Sequence, residues 1–350
     1  MSRLASCISS DKAFVLYRIP GKNVCLIDQL QPRLPELQSF LMIPFSEGEE
    51  PEFRIENGSL SVLDYEEVSR SQLFPSREAG SGSSDNKQDT QREIEIDKKE
   101  HIKLINKALE ELHSNTLHKV VLARKERRPL PVGFDAISFF LRLCVKYPSA
   151  FVYMIRLPGF TIWMGASPEL LLRSNGLNCS TVSLAGTKPN SENRPWKDKE
   201  LREQAIVSEY IRTTLEHAGI SSISEEGPFD AKAGNLLHLK TVFRFRTNIS
   251  AEKLARKLHP TPAIAGIPKQ AATDFILQNE KTTRSYYTGF TGPYDSEKSE
   301  FYVNLRCASL FHKQIDLYAG GGILEGSEAE AEYQETLHKM QTVWSVVENS

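Results

Sequence analysis

No stretch of the 350-residue chain approaches the roughly 20 consecutive apolar residues of a membrane-spanning helix. Charge of one sign is lacking too. The 43 Lys and Arg are balanced by 45 Asp and Glu, for a net charge of −2. With no Lys/Arg-rich run and no zinc-type spacing, nothing supports a nucleic-acid partner. Cysteine is sparse. The five residues Cys7, Cys25, Cys144, Cys179 and Cys307 are scattered and odd in number, which reads as buried or free thiols in a reducing cytoplasm. None has a motif around it. The first residues, Met1 to Cys7, lack the apolar core of a signal peptide, so a cytoplasmic location is expected. Also missing are a Rossmann glycine pattern, a P-loop and a Gly-x-Ser-x-Gly elbow.

What is present is an ordinary globular composition, 40% hydrophobic and 25% charged, at a length that suits two domains or one large one. Residues 1–75 alternate short apolar runs with turns, and Phe14–Tyr17, Val24–Ile27 and Leu60–Leu63 read as strands. Residues 76–96 are too polar to bury surface and read as an exposed linker or loop. The dense pattern lies in 97–350. Helices are expected at 97–113, 134–146, 197–217, 250–257 and 268–281. Strands are expected at 118–124, 150–157, 161–166, 169–173, 177–184, 236–246, 300–308 and 313–319. Ala185–Pro189 reads as a glycine-containing loop. Strands interrupted by helices in no regular β–α–β order predict an α+β fold with large mixed or antiparallel sheets flanked by helices.

The stretch Tyr318–Met340 is the most suggestive. Three glycines end a strand-like run, and such glycines let a ligand approach the backbone and leave N–H groups for an anion. On the helix that follows, Glu328, Glu332, Glu335 and Lys339 recur at spacings of four, three and four and share one face. Tyr333, Leu337, Met340, Trp344 and Val347 share another and would fill core. Carboxylates beside a glycine run suggest an anionic ligand bridged by a hard cation; a solvated acidic helix face is the plainer alternative.

Other candidates each carry two readings. Lys119, inside an apolar strand, is either a desolvated amine suited to general-base work or an edge-strand lysine pointing to water. Glu169, at the mouth of an apolar strand, is a general acid with a raised pKa or a solvated strand end. Glu203 sits beside the apolar stripe of its helix, as a metal ligand or a surface residue. Arg306 ends an internal strand and needs a carboxylate, phosphate or structural ion-pair partner. His238 is a core histidine or a site residue.

Taken in order, these segments resemble the chorismate-utilising enzymes. The matching runs are Lys119–Arg124, Ala166–Leu172, Leu184–Thr187, Glu203 in its helix, His238–Thr241, His259–Ala263, Tyr302–Arg306, and Gly320–Ile323 with Glu332–Glu335, spanning roughly residues 100–345. Within that family Lys119 stands where isochorismate and salicylate synthases carry a water-activating lysine that the aminating members lack. Ala185 stands where aminodeoxychorismate synthase places a nucleophilic lysine. The chain therefore resembles the isochorismate synthases. It departs from the usual Gly-Ala-Gly-Ile and Glu-Trp of the last motif with Gly320-Gly-Gly-Ile and Glu332-Tyr333, which keep the glycines and an aromatic.

The resemblance implies an anthranilate-synthase-component-I-like fold and a Mg²⁺-dependent conversion of chorismate to isochorismate. It implies Lys119 as general base and Glu169 as general acid. It implies Glu203 and Glu332 as Mg²⁺ ligands, with Glu335 directly or through water. Arg306 and the Gly320–Gly322 N–H groups would hold the enolpyruvyl carboxylate, with Lys339 nearby. Gly186 and Thr187 would line the ring, and His238 would lie in the pocket. It implies chorismate as the only partner, with no glutaminase subunit, and a monomer or weak homodimer. With no added carrier domain, menaquinone synthesis is expected to take the product rather than catechol-siderophore synthesis. Salicylate synthase, and a non-catalytic chorismate-binding protein, are the other two functions this pattern admits.

Overall fold

The computed structural model describes residues 2–73, 87–159, 161–192, 194–233 and 236–348, with backbone alone at 87–94, 187, 189, 199, 233 and 236. In chain order these form α1 (Arg3–Ser9), β1 (Phe14–Arg18), β2 (Val24–Asp28), β3 (Leu37–Ile43), β4 (Phe53–Leu63), α2 (Tyr65–Ser69), α3 (Lys87–His113), β5 (Lys119–Pro129) and α4 (Ala136–Lys146). Then come β6 (Phe151–Arg156), β7 (Ile162–Ser167), β8 (Leu170–Asn175), β9 (Asn178–Pro189), α5 (Asp198–His217), β10 (Ile223–Ala233), β11 (Leu236–Arg246) and α6 (Ala251–Leu258). The chain closes with β12 (Gly266–Ile267), α7 (Lys269–Asn279), β13 (Phe290–Tyr294), β14 (Lys298–Val303), β15 (Cys307–Phe311), β16 (Gln314–Ile323) and α8 (Ala329–Val347).

Among the described residues the strands make one sheet in the order β10-β11-β9-β8-β14-β13-β3-β4-β2-β1-β6-β7-β15-β16-β5-β12. Neighbours such as β1–β6 and β16–β5 run antiparallel. A sheet this wide must curl, and one contact shows that it does. Phe151 of β6 and Tyr302 of β14 stand six places apart in that order, roughly 29 Å across a flat sheet. Their rings nevertheless stack with centroids 4.4 Å apart and planes 3° from parallel. Tyr153 Oη also donates to Asn304 Oδ1 at 2.5 Å across the same gap.

The strand period of two then sorts side chains between two cores. On β1, Phe14 and Leu16 point outward to a core capped by α1, α4 and α8. Val15 and Tyr17 point inward to an aromatic-rich core shared with Phe40, Phe151, Trp163 and Tyr318. A third core lies under α5 and α6, and a fourth under α3 and α7. On α8 the expected core face is present: Tyr333, Met340 and Val347 are buried, with Trp344 packed at the margin.

Several expectations change. Residues 87–96, read as linker, are the first turns of α3; their Lys, Gln, Glu and Arg are good helix formers. The rest of that segment, 76–86, lies outside the described residues. Strands β3, β10, β12 and β13 fall where no strand is expected from the sequence. The run 300–308 divides into β14 and β15 because Arg306 takes φ +50° between them. Ala185–Pro189 continues β9 rather than looping. The three glycines lie within β16 rather than ending it, paired with Ala123, Leu122 and Val121.

Candidate active site

Curling brings the two ends of the sheet together. Lys119 opens β5 at one end; Glu203 lies on α5, which packs on β9 at the other. Lys119 Nζ donates to Glu203 Oε1 at 2.6 Å. β12 covers the edge of β5 at Lys119, and the lysine is only 6% exposed, so the water-facing alternative is overturned.

The glycine strand forms one wall. A Cβ on Gly322 would come within 3.2 Å of Lys119 Cε, and one on Gly320 within 3.1 Å of the Tyr287 hydroxyl. On the opposite face, a Cβ on Gly321 would lie 3.5 Å from Glu332 Oε2. The hydrogen bonds of β5 reveal which glycine groups face the gap. Ala123 N–H goes to Glu280 Oε1 and Val121 N–H to Ala265 O, both away from β16. Gly320 and Gly322 are therefore members of non-hydrogen-bonded pairs, and their own N–H and C=O groups point away from β5. The Gly320 carbonyl accepts from Lys339 Nζ at 2.8 Å on that side. The ladder between β15 and β16 reaches no further than Ala308 with Leu317. The glycine N–H groups therefore face the gap beside the start of β15, next to Arg306.

Arg306 is half-buried, and its burial depresses the guanidinium below its ordinary value against the pull of Tyr287, Glu335 and Glu169. Glu169 lies in the two-residue step between β7 and β8, held by its N–H to Ser167 Oγ at 3.3 Å and by Val303 N–H to its carbonyl. Burial pushes its carboxyl up to about 7, although Lys119 and Arg306 pull it down. Lys339 pairs with Glu335 at 2.5 Å, and burial lowers its pKa with Arg306 assisting and Glu335 opposing. Glu332 accepts from Ser327 Oγ at 2.7 Å. Glu328, exposed, is the N-cap of α8.

The opposite wall is built on an irregularity. Along β9 and β11, His238 pairs with Thr187 but Leu239 pairs with Ala185, so Gly186 is an extra residue at φ +67°. This is a β-bulge, and the left-handed backbone there suits glycine. His238 is bonded to the Gly186 backbone; burial, the largest influence, lowers its pKa, and it feels the charges of Arg306, Lys339 and Glu203. Thr187 lies on the bulged strand, and its side chain falls outside the described ones.

The structure thus brings together Lys119, Glu169, Gly186, Glu203, His238, Arg306, Gly320, Glu332, Glu335 and Lys339. Sequence reasoning missed Tyr287 and Gln204. Neither stands in a recognisable motif, although Gln204 is directly adjacent to Glu203 and only 2% exposed. Among the described residues no three His, Cys, Asp or Glu side chains cluster as an enclosed metal site. Carboxylates such as Glu203 and Glu332 nevertheless have the donor chemistry for Mg²⁺, which keeps several waters and needs one or two protein carboxylates when a ligand oxygen completes its shell.

Comparison with known proteins agrees with this arrangement. Isochorismate synthase EntC of Escherichia coli strain K12 is 32% identical over 241 residues, covering 65% of this chain and 62% of that protein. The chain spans less than two thirds of the length of such curated relatives. A crystal structure described as a putative 2,3-dihydroxybenzoate-specific isochorismate synthase, DhbC, from Bacillus anthracis superposes with TM-score 0.78. The identity is 21%, and 99% of this chain and 100% of that one are covered. Anthranilate synthase component I from Streptococcus pneumoniae superposes with TM-score 0.69 at 18% identity, over 94% of this chain and 89% of that one. The α+β fold is therefore that of anthranilate synthase component I. The family model described as chorismate binding enzyme matches residues 59–348, and the chain belongs to that family.

Proposed function

We propose that the chain is an isochorismate synthase. The observation that carries this reading is the pairing of a buried amine with a carboxyl of raised pKa at one cleft. Lys119 is 6% exposed, and Glu169 is shifted to about 7 with Lys119 and Arg306 as its charged neighbours. A general acid works best when its pKa lies near the working pH, and a shift of this kind marks functional groups.

In the reaction a water oxygen bonds to C2 of chorismate, the C4–oxygen bond breaks, and the ring double bonds shift between them. Lys119, once neutral, takes the proton of the attacking water. Glu169, protonated, gives a proton to the leaving C4 oxygen. One water enters and one leaves, so the overall change is an isomerisation. Arg306 and the outward N–H groups of Gly320 and Gly322 would receive the enolpyruvyl carboxylate by charge-assisted hydrogen bonds, with Lys339 at the Gly320 carbonyl beside them. Gly186 and Thr187 would lie along the ring, with His238 fixed by the bulge. Glu203 and Glu332, with Glu335 directly or through water, would hold Mg²⁺, which when bound neutralises the ring carboxylate. Glu203 Oε1 accepts from Lys119 Nζ at 2.6 Å, and a carboxylate has a second oxygen and further lone pairs to offer a cation.

The test is product formation from chorismate and Mg²⁺, coupled to an isochorismatase. Pyruvate should be released only when the isochorismatase is present, reporting isochorismate, and no fluorescent salicylate should form. Absence of isochorismate from folded, chorismate-binding protein would overturn the reading, and salicylate as the sole product would replace it with salicylate synthase.

A further inference from the structure

Gln204 is one helix position after Glu203, turns its amide to β9 and β11, and is almost wholly buried. Its amide spans three elements. Oε1 accepts from Ala185 N–H at 2.9 Å, on the residue before the bulge. Nε2 donates to Ser183 Oγ at 2.7 Å on the same strand, and to Thr241 Oγ1 at 3.0 Å on β11. It also lies 3.4 Å from the Ser183 carbonyl and from Ser208 Oγ one turn along α5. The amide orientation is fixed, because a backbone N–H must meet the oxygen end.

This arrangement does more than fill space. A bulge interrupts the ladder and is re-aimed by whatever holds it. Here the holder is the helix that carries Glu203. The same helix touches the bulge at Gly186, where a Cβ would meet the Glu200 carbonyl at 3.1 Å. A second tie runs through Arg194, which bonds both Glu200 oxygens at 2.7 and 3.0 Å ahead of the helix. Moving the Ala185–Gly186 peptide would therefore move His238, bonded to the Gly186 backbone, and would shift the ring wall relative to Glu203.

We propose that Gln204 is a positioning residue. It clamps the β9 bulge to α5, so that the ring-binding backbone at Gly186–Thr187 and the carboxylate of Glu203 keep one fixed separation. It touches neither substrate nor reacting atoms. The proposal rests on the chorismate-binding reading of this cleft.

The experiment compares wild type with Gln204→Leu, Gln204→Glu and Ser208→Ala. It measures kcat and KM for chorismate together with hydrogen exchange of the amides at 184–188. Gln204→Leu keeps the size of the side chain but leaves Ala185 N–H without its acceptor. kcat/KM for chorismate should fall by up to about 100-fold, the scale of a 1 Å misplacement, with the loss carried by KM and faster exchange confined to 184–188. Gln204→Glu keeps the acceptor oxygen, and the Ser183 and Thr241 hydroxyls can turn to donate to it, so it should recover most of the loss. Ser208→Ala removes the 2.8 Å bond between the Ser183 and Ser208 hydroxyls and a 3.4 Å contact to Gln204 Nε2, but leaves the bond from Ala185 N–H to Gln204 Oε1 and the Thr241 bond in place, so its KM and its exchange at 184–188 should stay within a few-fold of wild type. If Gln204→Leu does not fold, Gln204→Asn shortens the reach by one methylene and takes its place. A KM within twofold of wild type, or exchange rising equally in β1–β4, would overturn the clamp. Failure of wild type itself to bind or convert chorismate would instead overturn the function reading.

Discussion

At the β5–β16 end of the sheet, Gly320, Gly321 and Gly322 lie in a regular strand, and what matters is the side chain they lack. At the β9–β11 end, Gly186 sits at φ +67°, and what matters is the backbone it adopts. The first wall is held by a ladder from Gln314 to Ile323 and lends its open backbone groups to the gap. The second is a break in the ladder held by a side-chain amide from α5. The Lys119–Glu203 contact joins the two. The regular wall carries the proposed base and the proposed anion-binding backbone; the bulged wall carries the proposed ring contacts and a proposed metal ligand. If this division holds, chemistry should fail most from changes at the first wall, and substrate binding from changes at the second.

The largest effect is expected from Lys119→Gln. Removing a general base costs about 10²–10⁴-fold in kcat. The variant should still melt cooperatively and bind chorismate in a fluorescence or calorimetric titration, because glutamine can still bond Glu203. Turnover within a few-fold of wild type would mean that the proton goes elsewhere and that the first wall is not the chemical one.

Next comes a paired comparison of the two kinds of glycine. Gly322→Ala introduces a Cβ 3.2 Å from Lys119 Cε. In a strand, alanine is otherwise favoured over glycine by roughly 0.5–1 kcal/mol. Melting temperature should hold or rise while kcat falls by about tenfold or more. Gly186→Ala places a Cβ on left-handed backbone, at about 1–2 kcal/mol, and against the Glu200 carbonyl. Its melting temperature should fall and its KM should rise. The reverse pattern in differential scanning calorimetry and steady-state kinetics would abolish the distinction between the walls.

That distinction was only partly legible in the sequence. Local motifs exposed the candidate residues, because Lys119, Glu169, Arg306 and the glycine–glutamate stretch stand in apolar or glycine-rich runs where a charge is conspicuous. The helices α4 to α7 followed from periodicity within a residue or two. What the sequence withheld depends on partners distant along the chain. β10, with Ser-Glu-Glu-Gly-Pro inside it, has poor strand propensity and forms because β11 pairs with it. The Gly186 bulge is a matter of register between strands about fifty residues apart, and Gln204 reads as one more polar residue on an amphipathic helix. The same limit applies to the direction of the Gly320 and Gly322 N–H groups, which followed only from where Ala123 and Val121 send theirs.

A smaller effect should appear with pH, at the junction between the walls. The groups facing the Glu169 carboxyl are Lys119 and Arg306, and its pKa is nonetheless raised to about 7. A carboxyl whose folded pKa exceeds its unfolded value favours folding below the unfolded pKa, and that contribution is lost as pH rises through about 7. Glu169→Gln removes the titration. Relative to wild type, the variant should therefore gain melting temperature between pH 5 and pH 8. In the wild type, kcat/KM should decline above pH 7 as the proposed acid loses its proton. A difference in melting temperature that stays flat across that range would show that Glu169 is not held protonated by the fold.

The smallest effect is expected where the acidic row on α8 leaves the cleft. Glu332 is half-buried, 3.5 Å from where a Cβ of Gly321 would stand. Glu335 is 50% exposed and bonds Lys339. Exposed pairs contribute only about 0–1 kcal/mol, and Lys339 keeps its bond to the Gly320 carbonyl without it. Glu335→Gln should therefore change the Mg²⁺ concentration for half-maximal turnover by at most about fivefold, the equivalent of that energy. Glu332→Gln should raise it by about 10–100-fold or abolish turnover, as loss of a group ordering a metal does. Metal titrations of the two variants under identical chorismate concentrations measure the difference. Equal shifts would place both carboxylates at the same distance from the cation and extend the first wall one helical turn further along α8.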